Sequence, residues 1–328
     1  LPLPATLVFE HPTVSDLATA VATALALSPQ LGVHAMAAAQ GPAQRAQQDP
    51  VGQLYLKAIA AGQTETAHAF ALTGADLRPK FHKPEELPAL PPVVRISAGD
   101  GGPHLICVVP PVPLPLTGPD VYLRFAAEFT GTRRVSAIAA PGFGPGEDLP
   151  GTNEVMISVM ADAIVAHVGQ EPFALAGSSS GGVLAYEIAQ ELERRGTPAA
   201  GVALLDTYRM NDSTIKRWDT ELSSRSFTGI DTGTIGFEEI TAFAWICSRL
   251  LIDWGPGDLD TPVLLLRATV PLAEGEEGMQ WQTDLPQMSA VVDVPGDHFS
   301  ILENEDVPFV AQTVHRWLTD IEHPAEGE

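Results

Sequence analysis

From Val93 onward, short apolar runs alternate with longer segments of helical periodicity, and this alternation restricts the fold more than any other feature. Strands that alternate with helices form βαβ units, whose strands lie parallel in one sheet. Nearly continuous apolar runs such as Val93–Ser97 and Val263–Ala268 are typical of a sheet covered on both faces. The sequence therefore predicts an α/β fold with a mostly parallel central sheet and helices on both faces.

The boundaries of these elements follow from where each pattern begins and ends. The predicted strands are Val93–Ser97, His104–Val109, Arg134–Ala139, Phe173–Ala176, Gly201–Leu205, Val263–Ala268 and Ala290–Val294. The predicted helices are Asp120–Thr130, Glu154–Val168, Gly181–Arg195 and Val307–Ile321. Residues 208–260 interrupt the alternation, because they hold many aromatic side chains and no convincing strand. An insertion of this size is often a lid over the active site, and ordinary helical packing is the alternative.

The chain before Val93 has a different organisation. A helical piece within residues 1–30 is followed by an Ala/Gln-rich linker at 31–50 and a helical leader at 51–90. Within the leader, apolar residues recur at spacings of three and four, and a second helix is predicted from Thr64 to Leu72 with Gly74 as its stop signal. The α/β domain is then expected over 91–322, with a charged tail at 323–328.

The charge of the chain restricts its partners. With a formal net charge of −23 and no basic cluster, the chain is predicted to bind neither nucleic acid nor an anionic membrane surface. No apolar run approaches the length of a membrane span. The two cysteines, Cys107 and Cys247, do not make a disulfide framework, which favours a reducing cytoplasm. The first residues show neither an initiator Met nor the basic start of a signal peptide, so we expect a piece of a longer protein.

Gly177–Gly181 matches the pattern Gly-x-Ser-x-Gly in the context that gives this pattern meaning. A predicted strand precedes it and a predicted helix follows it. In a nucleophile elbow, a sharp strand-to-helix turn exposes the central serine at the helix N-terminus, and the glycines give the turn the space it needs. The spacing selects Ser179, because neither Ser178 nor Ser180 has glycine on both sides at that distance. We therefore expect an α/β-hydrolase fold with Ser179 as the nucleophile.

A serine hydroxyl needs a base to take its proton, and in this fold the chain order is serine, acid, histidine. Downstream of Ser179, His298 follows directly after a predicted strand, where the sites of α/β proteins gather. His315 lies within the last helix and His323 in the tail, so both are expected to be solvated surface residues. The sequence therefore favours His298 as the general base.

The acid has two candidate positions. Asp206 ends the strand after the nucleophile helix, whereas Glu274, Glu276 and Glu277 follow a later strand in a Gly-rich segment. Asp206 is the preferred acid because it is tied to its strand end. Asp297 is a weaker competitor, since neighbours in sequence rarely face the same point as the histidine beside them.

An oxyanion hole needs backbone N–H donors aimed at the developing negative charge. The residue after the nucleophile, Ser180, should supply one donor, and the loop after His104–Val109 the other. Prolines have no N–H, so Val112 is the only candidate among residues 110–113 of that loop. We therefore expect Ser180 and Val112 as the two donors.

Four short segments occur in a distinctive order along the chain: Pro141–Glu147 (PGFGPGE), Gly177–Gly182 (GSSSGG), Val202–Asp206 (VALLD) and Val294–Leu302 (VPGDHFSIL). With these segments in this order, the stretch from Val93 to Leu318 resembles the terminal, chain-releasing thioesterase of modular (type I) polyketide synthases. The resemblance implies that Asp206 is the acid of the triad. It also implies that the insertion is the lid of a substrate channel, and Trp218, Phe227, Trp245 and Trp254 are the expected lining residues.

Leu3–Thr13 is similar to the end of an acyl carrier protein, so residues 1–30 are interpreted as a carrier fragment. This implies that the substrate is a polyketide acyl chain, carried on phosphopantetheine by the tethered upstream carrier, and that the chain itself needs no cofactor. The leader resembles helices through which such thioesterases form homodimers. Two departures from the family are expected to matter: the small Ser178 before the nucleophile changes the pocket, and a long proline-rich loop after His104–Val109 affects the second oxyanion donor.

The expected reaction is transfer of the acyl chain to Ser179, followed by release to water as an acid or to a hydroxyl of the chain as a macrolactone. A free-standing esterase or lipase of the same fold is one alternative, although the carrier-like start argues against it. The other is a non-catalytic dimerising module, against which the intact set of Ser179, Asp206 and His298 argues.

Overall fold

The computed structural model describes residues 50–112, 118–210, 213–215, 218, 222, 235–273, 281–303 and 305–323. Several predicted features lie outside the described residues: the carrier fragment, nearly all of the linker, Phe227, the three glutamates at 274, 276 and 277, and the tail from residue 324. In the described part of the chain, no helix has both the length and the apolar character needed to cross a lipid bilayer.

The centre of the molecule is a 7-stranded sheet in the order β2-β4-β3-β6-β7-β8-β9. Among the described strands, only β2 runs antiparallel to its neighbour, and a separate parallel pair joins β1 to β5. The strands are β1 Lys80–Phe81, β2 Val93–Ser97, β3 His104–Val108, β4 Val135–Ile138, β5 Leu149–Pro150, β6 Phe173–Ser178, β7 Val202–Leu205, β8 Val263–Ala268 and β9 Ala290–Val294. The predicted strands and the mostly parallel sheet are confirmed.

Helices cover both faces of the sheet. The α-helices are α1 Pro50–Ala60, α2 Thr64–Leu77, α3 Leu123–Ala127, α4 Asn153–Val168, α5 Ser180–Arg194, α6 Phe237–Ile246, α7 Ser300–Glu303 and α8 Val307–Glu322. Helices α4, α5 and α6 contribute to one core cluster, whereas α3, α7 and α8 contribute to the other. A short 3₁₀ helix, Pro119–Tyr122, leads into α3 where a single helix over Asp120–Thr130 was expected.

The uninterrupted apolar strands have a direct cause in this layering. Successive side chains of a strand point to opposite faces of the sheet. In β3, Ile106 and Val108 join the first core cluster, and Leu105 and Cys107 join the second. Every position of the strand is buried, so an alternating polar pattern would place polar groups in one of the two cores.

The leader forms a helical hairpin, α1 and α2, packed against α6 of the insertion. Tyr55, Ala71 and Ile240 belong to one shared apolar cluster. The prediction that Gly74 stops the second helix is wrong, because α2 continues to Leu77. A Cβ at Gly74 would come within 2.8 Å of Phe237, so the glycine permits close packing of α2 on α6 instead of ending the helix.

Candidate active site

Ser179 occupies a strained turn between β6 and α5. Its φ of 52° and ψ of −128° lie in a region that residues with a Cβ rarely adopt. The two glycines of the motif allow the turn to close. A Cβ at Gly177 would meet the carbonyl oxygen of Gly181 at 2.2 Å, and one at Gly181 would meet the carbonyl oxygen of Val108 at 2.4 Å. The strand–turn–helix geometry expected of a nucleophile elbow is therefore present.

A buried tyrosine that sequence reasoning missed supports this turn. The Tyr122 hydroxyl donates to the carbonyl of Val108 (2.9 Å) and accepts from the N–H of Ser178 (2.9 Å), so it joins the ends of β3 and β6. The N–H of Ser179 donates to the carbonyl of Leu205 in β7 (2.9 Å). Nothing in the spacing of the sequence connects Tyr122 to a turn so far along the chain.

The structure brings Ser179, His298 and Asp206 together in one hydrogen-bonded chain. His298 Nε2 lies 3.0 Å from Ser179 Oγ, and His298 Nδ1 lies 2.8 Å from Asp206 Oδ2. The three residues come from the ends of different strands of the parallel sheet, at its carboxyl edge. With Nδ1 donating to the carboxylate, Nε2 is the nitrogen that can accept the serine proton.

Asp206 is held in place from two sides. Its Oδ1 accepts from the N–H of Ala268 (2.9 Å), while Oδ2 faces the imidazole, and the residue is fully buried. Its backbone φ of 48° lies in the left-handed region that residues with a Cβ rarely adopt. Asp297, the weaker competitor, instead accepts from the N–H groups of Phe299 (3.0 Å) and Ser300 (2.9 Å) and so caps the start of α7.

The two expected oxyanion donors differ in their situation. Ser180 is the first residue of α5, and the first N–H groups of a helix have no partner within that helix. The N–H of Val112, in contrast, donates to the carbonyl of Pro110 at 2.9 Å, a contact that closes a tight turn in the proline-rich loop. Val112 can therefore serve an oxyanion only if this local hydrogen bond opens.

A mainly apolar cavity lies beside the serine. It is lined by Ser179, Ser180, Val183, Tyr208, Met210, Ile215, Leu222, Leu251 and His298. Of the aromatic residues expected to line a channel, Trp218 packs on Tyr208, whose ring in turn packs on His298. Trp245 and Trp254 belong to the first core cluster and are not among the described residues that line the cavity. The described wall is thus largely aliphatic.

A family model described as a thioesterase domain matches residues 105–318, which include all three residues of the hydrogen-bonded chain. The chain belongs to the thioesterase domain family. The spectinabilin polyketide synthase system protein NorC of Streptomyces orinoci is 32% identical over 336 residues. That match covers 98% of this thioesterase chain but 14% of NorC. Erythronolide synthase EryA3 of Saccharopolyspora erythraea is 30% identical over 321 residues, with 97% and 9% covered.

Solved structures agree with the thioesterase fold. The thioesterase domain NocB of the nocardicin cluster matches with a TM-score of 0.52 at 20% identity, covering 66% of this chain and 94% of that one. The four-domain nonribosomal peptide synthetase AB3403 matches with a TM-score of 0.53 at 20% identity, covering 71% and 21%. At this identity the likeness concerns the fold alone. The predicted fold class and family resemblance are confirmed.

Two further residues, Ser178 and His315, do not lie where the sequence predicted. Ser178 is buried and is not among the described residues that line the cavity. His315 was expected on the solvated surface, but its ring is partly buried and packs on Phe129, because α8 lies flat against the second core cluster. Within the described residues, no group of three or more His, Cys, Asp or Glu side chains is arranged to hold a metal ion.

The aliphatic lining is the part of the site that sequence reasoning missed. Tyr208 and Met210 follow Asp206 closely, and residues just beyond a strand-end acid are a usable signal for a pocket wall. Leu251 carries no such signal. It reaches the cavity through a π-helical turn, Cys247–Leu251, that continues α6, and π-turns inside helices occur frequently at functional sites.

Proposed function

We propose that this chain releases a completed polyketide from the phosphopantetheine thioester of an acyl carrier protein, through an acyl-Ser179 intermediate. The observation that carries the proposal is the hydrogen-bonded chain from Ser179 through His298 to Asp206, on an elbow turn in a thioesterase domain. The similarity to polyketide synthases along 98% of the chain supports the substrate class.

In the acylation step, Ser179 Oγ attacks the thioester carbonyl as His298 Nε2 accepts the hydroxyl proton. Asp206 keeps the imidazole in the required tautomer and stabilises its positive charge. The N–H of Ser180, at the N-terminus of α5, stabilises the oxyanion of the tetrahedral intermediate. Collapse of this intermediate breaks the carbon–sulfur bond and leaves an ester on Ser179. The imidazolium proton goes to the departing thiolate.

In the release step, His298 removes a proton from a second nucleophile, which attacks the ester. Water yields a free acid, and a hydroxyl group of the acyl chain itself yields a macrolactone. Either product leaves Ser179 with its proton restored. The aliphatic cavity wall suits the acyl chain, since apolar surface removed from water contributes about 25 cal/mol per Å².

The delivery of substrate is part of the same proposal. Residues 1–30 are interpreted as the end of the carrier, and a tether of this kind supplies a high effective concentration without intrinsic affinity. Tethering also offsets the repulsion expected between an acidic carrier and a chain of net charge −23. The α1–α2 hairpin is proposed to contribute to a homodimer, and the low cysteine content favours the cytoplasm.

Mass spectrometry of the products formed from a synthetic full-length acyl thioester tests the function. We expect acylated protein, with the mass increase on the peptide that contains Ser179, followed by free acid or macrolactone. Ser179→Ala should abolish both signals, whereas the matched variant Ser178→Ala should keep them. Acylation at another residue, or product formation by Ser179→Ala, would overturn the proposal.

Two further measurements separate the alternatives. Faster turnover of simple short-chain esters than of acyl thioesters would favour a free-standing esterase or lipase. A folded protein in which a fluorophosphonate fails to label Ser179 would favour a non-catalytic dimerising module.

A further inference from the structure

Arg78 lies at the junction of three segments that are far apart in the sequence. It follows α2 directly and is only 8% exposed. Its Nη1 donates to the carbonyl of Glu238 (2.9 Å) and to the hydroxyl of Thr241 (2.9 Å), both in α6. Its Nη2 donates to the carbonyls of Gly142 (2.7 Å) and Glu147 (2.6 Å), in the loop between β4 and β5. One guanidinium thus joins the leader, the insertion and this loop.

The chemistry of this contact requires arginine. Each terminal nitrogen makes two hydrogen bonds, so both sides of the planar fork are used. Burial lowers the pKa of Arg78, and the nearby carboxylates of Glu238 and Glu147 oppose that shift. An arginine side chain stays charged nevertheless, so its buried charge must be offset by oriented carbonyl dipoles. A lysine has one donor atom and cannot bridge the two segments in the same way.

The segments that Arg78 joins are themselves well defined. The Glu147 carboxylate accepts from the N–H groups of Gly142 (2.8 Å) and Gly144 (3.1 Å), which closes the loop on itself. The chain after Arg78 pairs with the far end of that loop, because β1 and β5 run side by side. On the other side, α2 meets α6 at the close contact between Gly74 and Phe237.

A short path leads from this junction to the reacting serine. Helix α6 continues without a break into the π-helical turn Cys247–Leu251. Leu251, the last residue of that turn, lines the cavity that also contains Ser179 and His298. Arg78 therefore bonds α6 in its N-terminal half, and the same continuous helical segment carries Leu251 to the cavity.

We propose that Arg78 is a positioning residue that sets the acyl-chain side of the cavity through α6. The leader hairpin then has a role inside each chain, as a support for the insertion, in addition to any role between chains. That the occupant of the cavity is an acyl chain rests on the proposed function. The consequence is selectivity: disturbing Arg78 should affect long acyl groups, which extend past Leu251, far more than short ones, which stay near Ser179.

The test compares labelling of Ser179 by fluorophosphonates that carry an ethyl or a decyl chain, in the full chain and its variants. In Arg78→Met, the labelling rate with the decyl probe should fall about ten-fold, because a displacement on the order of 1 Å is enough for such a loss. The rate with the ethyl probe should stay within about two-fold of the wild type. Arg78→Lys should resemble Arg78→Met. Arg194→Lys, on an exposed side chain, is the matched control and should change neither rate.

Turnover by the Arg78 variants should show the same difference between long and short substrates. The KM for a long acyl thioester should rise, whereas the kcat for a short acyl thioester should stay unchanged. An unchanged ratio of decyl to ethyl labelling in a folded variant would overturn the proposal. So would an equal loss with both probes, which a merely structural role predicts. If neither Arg78 variant folds, Thr241→Val decides, since it removes one acceptor of Arg78 at nearly constant volume. If the wild-type chain is labelled at Ser179 but releases no acyl chain from an acyl thioester, the proposed function is wrong. The ratio of decyl to ethyl labelling can still be measured in that case.

Discussion

Among the described residues, a serine–histidine pair lies at each end of the strands of the sheet, and the hydrogen bonds of these pairs are almost equally short. At the carboxyl edge, His298 Nε2 lies 3.0 Å from Ser179 Oγ. At the amino edge, His104 Nε2 lies 2.8 Å from Ser136 Oγ, and His167 Nε2 approaches the same hydroxyl at 3.2 Å. A serine–histidine distance alone therefore does not distinguish a nucleophile from a buried polar cluster.

The surroundings of the two pairs are different. Ser179 sits on a strained turn at a helix N-terminus, beside a cavity, and its histidine is oriented by the carboxylate of Asp206. Ser136 lies inside β4 and is fully buried, and its hydroxyl also contacts a second histidine, His167. Burial, then the neighbouring His167 and Arg134, lower the pKa of His104 to about 4, so the imidazole stays neutral. Such a pair stabilises the fold but has no access to a substrate.

The largest expected effect is a double dissociation between the two serines. Ser179→Ala should reduce acyl release by about 10⁴-fold or more, with little change in stability, because it removes the proposed nucleophile from the surface of a cavity. Ser136→Ala should keep activity but lower the free energy of unfolding by about 1–3 kcal/mol, because His104 loses its buried partner. Steady-state kinetics and urea unfolding of both variants check this. Loss of activity in a folded Ser136→Ala protein would contradict the comparison.

The next effect concerns Asp206, the carboxylate that is hydrogen-bonded to His298. Asp206→Asn should reduce kcat by about 10³–10⁴-fold, because the amide favours the wrong tautomer of His298. Asp297→Asn is the matched control, since the Asp297 carboxylate accepts hydrogen bonds from two backbone N–H groups. It should affect stability more than turnover. Comparable losses of kcat in the two variants would contradict the assignment of Asp206 as the residue that orients His298.

The amino-edge pair should show itself in the pH dependence of stability. The pKa of His104 is about 4 in the folded chain and near 6.5 in the unfolded chain, so the unfolded chain binds more protons between these values. The free energy of unfolding should therefore fall as the pH drops from 6.5 to 4, by about 3 kcal/mol from this residue. Urea unfolding across this range measures it. His104→Gln should flatten the curve relative to the wild type, and an equally steep curve would exclude His104 as the cause.

The smallest expected effect concerns the close packing at Gly181, which allows the turn at Ser179 to form. Gly181→Ala places a Cβ 2.4 Å from the carbonyl oxygen of Val108, so we expect a loss of stability of about 1–3 kcal/mol together with reduced labelling of Ser179. A Cβ at Gly255 meets nothing within 4 Å, so Gly255→Ala is the control. Thermal unfolding of the two variants makes the comparison. Equal stability would mean that the elbow relaxes freely.

Much of the fold could be predicted because local patterns and tertiary structure agree. A strand such as Val263–Ala268 is apolar at nearly every position, and only a sheet covered on both faces satisfies that pattern. The failures occurred where tertiary packing overrides local preference. Gly74 is a helix breaker by propensity, yet it lies within α2 because the close contact with α6 excludes a side chain.

The candidate site divides in the same way. Ser179, Asp206 and His298 each follow a strand. Their order along the chain narrows the candidates, and the strand-end position together with the family resemblance favours Asp206 over the later acidic residues. Their supports were not predictable: Tyr122, Leu251 and Arg78 act across separations along the chain that no periodicity records. The N–H of Val112 likewise donates to the carbonyl of Pro110 and so closes a local turn. The positions of the prolines did not predict this hydrogen bond.

The sequence by itself determined the order of strands and helices and the elbow, because these depend on periodicity and on the steric needs of glycine. It also suggested the three residues that follow strand ends, through their order along the chain and the family resemblance. The tertiary structure decided which serine–histidine pair faces a cavity, which side chains line it, and how the leader meets the insertion. Those properties depend on which surfaces are brought together in space. His104 and His298 are both histidines beside serines, and only the fold separates a buried neutral imidazole from one oriented by a carboxylate.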